Sequence, residues 1–223
     1  MTYQLIRKKD LCPCGSRLYF QVCHGIGPMI KPDTPPPSVF VEELQINDSE
    51  TPIWLQNLLG SAIVWLYETQ TLVSLHQPPG ESCTTISMLL ISLLRHYGIK
   101  SRLAVGSARW QSYPIFYQWK GVAEYHSWVM TEYGEIVDLA CGALNTRSEL
   151  TDEQRKIRPP RTCWEKLELL ADRDYVEVED GYAHLNVDCP GEQTYDLLYS
   201  LVVAFCEENC ENFAKNHNNL KLF

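Results

Sequence analysis

The stretch GESCTTISMLLISLLRHYGIKSRLAVG, residues 80–106, decides the fold. It follows HQPPGES, whose prolines and glycine mark a loop. Ser82 is a natural N-cap, which places Cys83 in the first turn of a helix. Ile86, Leu89, Leu90, Leu93, Leu94 and Tyr97 then put apolar side chains around much of the circumference, the pattern of a buried helix. Gly98 supplies the stop. Beyond it the period changes, and residues 101–106 read as a strand.

Working outward, residues 54–75 carry Leu55, Leu58, Leu59, Ile63 and Leu66 at helical spacing. Residues 115–119, 123–131 and 135–139 read as short strands. Residues 164–171 read as a helix, 175–179 as a strand and 194–214 as a long amphipathic helix. Helices first and an antiparallel sheet after them give the class α+β, with the Cys83 helix packed on the sheet. No internal repeat is present.

The chemistry concentrates in two places. At the start of a helix, unpaired backbone N–H groups and the positive end of the dipole favour a thiolate, so Cys83 is placed as a nucleophile. In YHSWVMTEYGEIVDLA, residues 125–140, His126 and Asp138 fall on successive strands joined by a turn with Gly134 at its tip. They stand eight and four positions from that glycine, an offset pair that an asymmetric turn would bring to the helix side. A Cys–His–Asp relay follows as a possibility of the geometry. Cys141 is an alternative thiol, but nothing marks it as the start of a helix. Cys206 and Cys210 share a helix face, which reads as packing. His184 with Asp188 lacks a nucleophile, and the aromatic band Trp110, Tyr113, Phe116, Tyr117, Trp119 reads as core or cleft lining, with a substrate wall as the sharper option.

Composition sets the outer bounds. The chain has 223 residues, 45% apolar and 21% charged, and a net charge of −9. That is an ordinary globular balance, with too little positive charge for a broad nucleic-acid surface. The longest apolar run, residues 86–94, is interrupted by two serines and is about half of a membrane span. The opening MTYQLIRKKD has no apolar core of the secretory kind. The expectation is a cytoplasmic protein with no membrane partner. In that setting its nine cysteines read as metal ligands or catalytic groups rather than disulfides.

Three of the nine crowd the first tenth of the chain. CPCGSRLYFQVCH gives Cys12, Cys14, Cys23 and His24, a set that can close a tetrahedron around Zn²⁺. So short a piece needs the metal to fold. Its end is marked by the proline-rich residues 28–38, a semi-rigid spacer. The first 31 residues hold five Lys/Arg against one Asp, a net +4, which leaves −13 of the total −9 for the rest. The organisation expected is a zinc module at 1–27, a linker at 28–38 and a main domain at 39–223.

Both regions resemble known families. Cys12-Pro13-Cys14-Gly15-Ser16 and Cys23-His24-Gly25 are similar to the SEC-C motif, the zinc-binding module at the carboxyl end of the SecA translocation ATPase. The resemblance implies zinc on Cys12, Cys14, Cys23 and His24 and a role in contacting other proteins. The ribosome is a further partner its basic surface allows. Residues 83–138 resemble the transglutaminase-like branch of the papain-like cysteine enzymes. GESCTTISMLLISLLRHYGIKSRLAVG looks like its nucleophile helix and the strand after it, and YHSWVMTEYGEIVDLA like its histidine and aspartate strands. That resemblance implies a papain-like core with Cys83 as nucleophile, His126 as base and Asp138 orienting the imidazole. Gln77, six residues before Cys83, matches the spacing of the oxyanion-hole glutamine in papain-like peptidases. Thr84 stands where transglutaminases usually have Trp, and Leu139 where relatives often have Pro, departures that favour hydrolysis over cross-linking. The activity implied is a cysteine hydrolase or acyl transferase acting on an amide, peptide or ester bond of a protein or peptide substrate. The alternative is a catalytically silent adaptor that binds through its zinc module.

Overall fold

Leu55, Leu58, Leu59, Ala62, Ile63 and Leu66 recur on one side of α1 (Ile53–Glu68) and are buried. The computed structural model describes residues 49–69, 71, 79–121, 123–181 and 192–220. Cys12, Cys14, Cys23, His24, the linker 28–38, Gln77, His184 and Asp188 lie outside the described residues. α1 ends at Glu68, Thr71 beyond it is again helical, and the rest of the expected stretch to Leu75 lies outside the described residues. The Thr69 hydroxyl and N–H both bond back to the Trp65 carbonyl, at 2.8 and 3.0 Å, and close the last turn.

α2 (Cys83–His96) starts at the expected residue and is closed by Gly98 at φ 81°. There follow β1 (Ser101–Trp110), β2 (His126–Thr131), β3 (Glu135–Asp138), a one-turn α3 (Asp152–Arg155), β4 (Cys163–Lys166), β5 (Arg173–Glu177) and α4 (Glu192–Leu220). The strands form one sheet in the order β4-β3-β2-β1-β5, with every pairing antiparallel. The class is therefore α+β, as the element order implies.

Two elements differ in kind from the sequence reading. Residues 164–171 are β4 followed by a 3-10 turn (Leu167–Leu169), because Val137 and Asp138 offer a free edge that pairs with Trp164 and Cys163. Backbone pairing and burial of Trp164 outweigh the helical preference of Glu, Lys and Leu there. Residues 115–119 make only an isolated bridge, Tyr117 to Ala108. β2 begins opposite Gly106, so the outer edge of Ala108 is left to Tyr117, whose backbone exchanges hydrogen bonds of 3.0 and 2.8 Å with it. β5 covers Arg173–Glu177 rather than 175–179, and α4 extends past the expected 194–214 at both ends.

The sheet has a core on each face. Val129, Val137 and Trp164 join the buried residues of α1, α2 and α4 on one face. Ala104, Trp128, Ile136 and Cys163 pack together on the other, and Ala108, Trp110, Tyr113 and Tyr117 extend that side toward the end of β1. No helix among the described residues is long and apolar enough to cross a membrane.

Candidate active site

The β2–β3 register settles where His126 and Asp138 go. Val129 pairs with Val137 and Met130 with Ile136, which centres the hairpin on Tyr133 rather than Gly134. The loop is three residues long, with Gly134 at φ 76° in the left-handed position that such a loop requires. About that centre His126 and Asp138 stand seven and five places out, a difference of two. They therefore share a face as diagonal neighbours, close enough for an imidazole to span. The face is that of Trp128 and Ile136, so the pair does not look toward the helices as the asymmetric-turn expectation had it. Contact with α2 is made instead at the end of the sheet, where His126 is the first residue of β2 and the first turns of α2 arrive. The Ser127 hydroxyl donates to Thr84 Oγ1 at 3.2 Å and the Ser87 hydroxyl to the Ser127 carbonyl at 3.3 Å.

Asp138 is held by four groups. His126 Nε2 lies 2.8 Å and the Tyr175 hydroxyl 2.7 Å from Oδ2, and the Ala140 and Cys141 N–H groups each donate to Oδ1 at 3.1 Å. Burial pushes its carboxyl up, but the charge and hydrogen bond of His126, the Tyr175 hydroxyl and the Arg173 charge together hold it below the ordinary value. His126 is wholly buried. Burial disfavours its charge, yet the neighbouring carboxylate and the Cys83 sulfur outweigh that and push it up to about 10.

Cys83 is 7% exposed, more than His126 at 0% or Asp138 at 1%. Burial pushes its thiol up, and the hydrogen bond and charge of His126 together with the hydroxyl and backbone of Ser127 more than reverse this, so the thiol is lowered. Both shifts favour the charged forms of the pair, the thiolate and the imidazolium, over the neutral ones. With Nε2 committed to Asp138, Nδ1 is the nitrogen left for the sulfur. It completes no hydrogen bond of full geometry, so the sulfur feels its charge through a loose contact. Ser82 stands at the N-cap, although its side chain makes no capping bond to the helix.

Aromatic rings fix the imidazole. Tyr117 stacks on it with centroids 5.0 Å apart, and Trp110 meets it edge-on at 5.3 Å. The loop before Cys83 is anchored by Gly80, whose N–H donates to Thr146 Oγ1 at 2.8 Å. A Cβ there would lie 2.7 Å from the Ala143 carbonyl oxygen, so the chain can approach this closely only as glycine. Cys141 is a structural thiol. It donates to the Asp138 and Arg161 carbonyls at 3.4 and 3.2 Å, and burial raises it well above the ordinary value. Cys206 and Cys210 lie along α4, with Cys206 in the core.

Cys83, His126 and Asp138 are thus brought together. Ser127 and Tyr175 were not singled out by the sequence, and Tyr117 stood out only as one of the aromatic band read as core or cleft lining. Ser127 carried a signal, a polar residue on the helix-facing register of a buried strand. Tyr175 carried none, because its contact depends on β5 lying beside β1.

No family model matches the chain, and no curated protein matches it. One solved chain, described only as the crystal structure of a genomics target, is similar with a TM-score of 0.49 and 19% identity, over 67% of this chain and 77% of that one. Among the described residues no group of three or more His, Cys, Asp or Glu is arranged to hold a metal ion.

Proposed function

We propose that the protein is a cysteine-dependent hydrolase or acyl transferase of transglutaminase-like, papain-like type, acting on an amide, peptide or ester bond. The observation that carries this reading is the buried run Asp138–His126–Cys83, in which the carboxylate raises the imidazole and the imidazole lowers the thiol. In the reaction the Cys83 sulfur forms a bond to the carbonyl carbon, and the displaced electron pair moves to the oxygen. The oxyanion forms beside the free N–H groups of the first turn of α2, and Gln77 would add a donor there. As the tetrahedral adduct collapses, the bond to the leaving amine or alcohol breaks and His126 hands it a proton. Water or a second amine then attacks the thioester carbon, giving its proton to His126, and the C–S bond breaks to release the acyl product and return Cys83 as the thiolate beside the protonated ring. Asp138 keeps the ring in place and balances its charge throughout.

The donor set Cys12, Cys14, Cys23 and His24, three thiolates and an imidazole, suits Zn²⁺. It would give the chain a metal-stapled head for docking on a protein partner. A second reading, a silent adaptor that retains the fold, is favoured by the near-complete burial of Cys83. Alkylation by iodoacetamide with mass mapping separates the two. An enzyme site gives fast labelling at Cys83 at a pH below that at which an ordinary thiol reacts, lost in Cys83→Ala. Equal labelling of the variant and wild type, or none at Cys83, leaves the adaptor.

A further inference from the structure

Three buried hydrogen-bond donors beside the proposed nucleophile lack a partner: Trp110 Nε1, the Tyr113 hydroxyl and Arg147 Nε. Buried polar groups are rarely left so, and each orphan is costly. These three belong to one place. The Arg147 guanidinium lies 4.6 Å from the centre of the Tyr117 ring, the ring that stacks on His126. Trp110 meets Tyr117 edge-on at 6.2 Å. Tyr113 follows Trp110 through the turn that closes β1, its N–H donating to the Trp110 carbonyl at 3.3 Å. Its hydroxyl feels the charges of both Arg147 and Glu149. The Arg147 stem packs against Gly80, three residues from Cys83 in the chain, and its side chain is 19% exposed, so the cluster reaches solvent.

From this cluster we infer a substrate subsite for a carboxylate, formed by Trp110, Tyr113 and Arg147 next to Cys83. The inference rests on the hydrolase reading and names the class of substrate: an acyl group carrying an acidic side chain or a terminal carboxylate. The choice of ligand follows from the donors. The indole and guanidinium N–H groups can only donate, and burial pushes the Tyr113 hydroxyl up, keeping its proton. A carboxylate is acceptor-only and matches them, whereas a primary amide would bring two N–H groups with nothing to receive them. Glu149 already pairs with Arg147 Nη2. With Glu81 also acting on the guanidinium, what Arg147 offers the ligand is its unpartnered Nε–H rather than spare charge, which suits a singly charged carboxylate better than a doubly charged phosphate.

The test uses the full chain and three small probes: N-acetylglutamate α-amide, N-acetylglycine and N-acetylglutamine amide. Each is titrated as a protectant of Cys83 against iodoacetamide, and against the tryptophan fluorescence of Cys83→Ala. A carboxylate probe should protect and quench, the neutral amide should do neither, and Arg147→Gln should weaken binding at least about tenfold. Tyr113→Phe, which removes a hydroxyl without changing packing, should weaken it several-fold and serves if Arg147→Gln fails to fold. Whichever carboxylate probe wins identifies an acidic side chain or a chain end as the source. Fast labelling of Cys83 with no preference for either carboxylate would overturn the subsite and leave the nucleophile. Absent labelling would overturn the hydrolase reading, and the fluorescence titration would still decide the subsite.

Discussion

A cysteine on the first turn of a helix has some tendency to ionise, but Cys83 is buried deeply enough that burial alone would raise its thiol. The imidazole decides the outcome. In His126→Asn the ring charge is gone while burial stays, so the alkylation–pH profile of Cys83 should move from below the ordinary thiol value of about 8.5 to above it. At pH 7 the rate should fall at least about tenfold. A variant profile superposing on that of wild type would show that the sulfur owes nothing to the ring. Tyr175→Phe is milder: it removes one of the four groups on Asp138, worth about 1 kcal/mol, and the mid-point of the same profile reads it. These residues also mark the limit of the sequence. Cys83, His126 and Asp138 were legible because each sits on a local signal, a loop-to-helix junction or a hairpin. Tyr175 reaches Asp138 through strand order, which pairs residues tens of positions apart and leaves no local trace, and Tyr117 reaches the imidazole through a lone bridge to Ala108 that no strand pattern announces.

At the scale of elements, the hairpin shows how a small error in a turn moves a site. Taking Gly134 as the centre put His126 and Asp138 four places out of step. The observed centre at Tyr133 makes the difference two, which preserves the face and only slants the pair. β4 was misread because helical preference is local, while its pairing partner β3 lies about 25 residues away. That same pairing buries Trp164 against Glu135, a fully buried carboxylate that organises its surroundings. Glu135 accepts from the Ser49 hydroxyl at 2.6 Å, the Glu50 N–H at 2.8 Å, the Thr51 hydroxyl at 2.6 Å and the Trp164 indole at 3.3 Å. These bonds staple the chain ahead of α1 to β3 and β4. Glu135→Gln places an NH₂ among groups that all donate, and should cost about 3 kcal/mol in urea-induced unfolding. A loss below about 0.5 kcal/mol would mean that the staple carries no weight. Gly80→Ala acts on the site instead. Its Cβ would press on the Ala143 carbonyl and the Arg147 stem, shift the loop that leads into α2, and slow Cys83 alkylation. Unchanged alkylation kinetics would show that the loop does not position the sulfur.

Across the whole molecule, the site lies where the two sides of the sheet meet: the sulfur belongs to the helical core, and the imidazole and carboxylate to the other face. Charge buried at that seam makes global stability depend on pH. His126 is raised to about 10 from an unfolded value near 6.5, so its contribution is complete below about pH 6.5 and disappears as pH rises through about 10. Buried thiols add to the alkaline loss. Cys163 and Cys206 are each pushed up to about 12, chiefly by burial. The unfolded chain releases their protons first, and stability falls from about pH 8.5 upward. The two effects separate in Asp138→Asn, which removes the charge that raises His126, leaves Cys206 untouched and relieves Cys163 only of the lesser push of that charge, its burial remaining. The gap in unfolding free energy between wild type and this variant should be widest near pH 6 and narrow steadily toward pH 10, while the loss from the buried thiols above about pH 8.5 is added to both. Denaturant unfolding at half-unit steps of pH measures it. A gap that held constant from pH 6 to 10 would mean that His126 carries no charge beside Asp138, and the thiolate at Cys83 would lose its counter-ion with it.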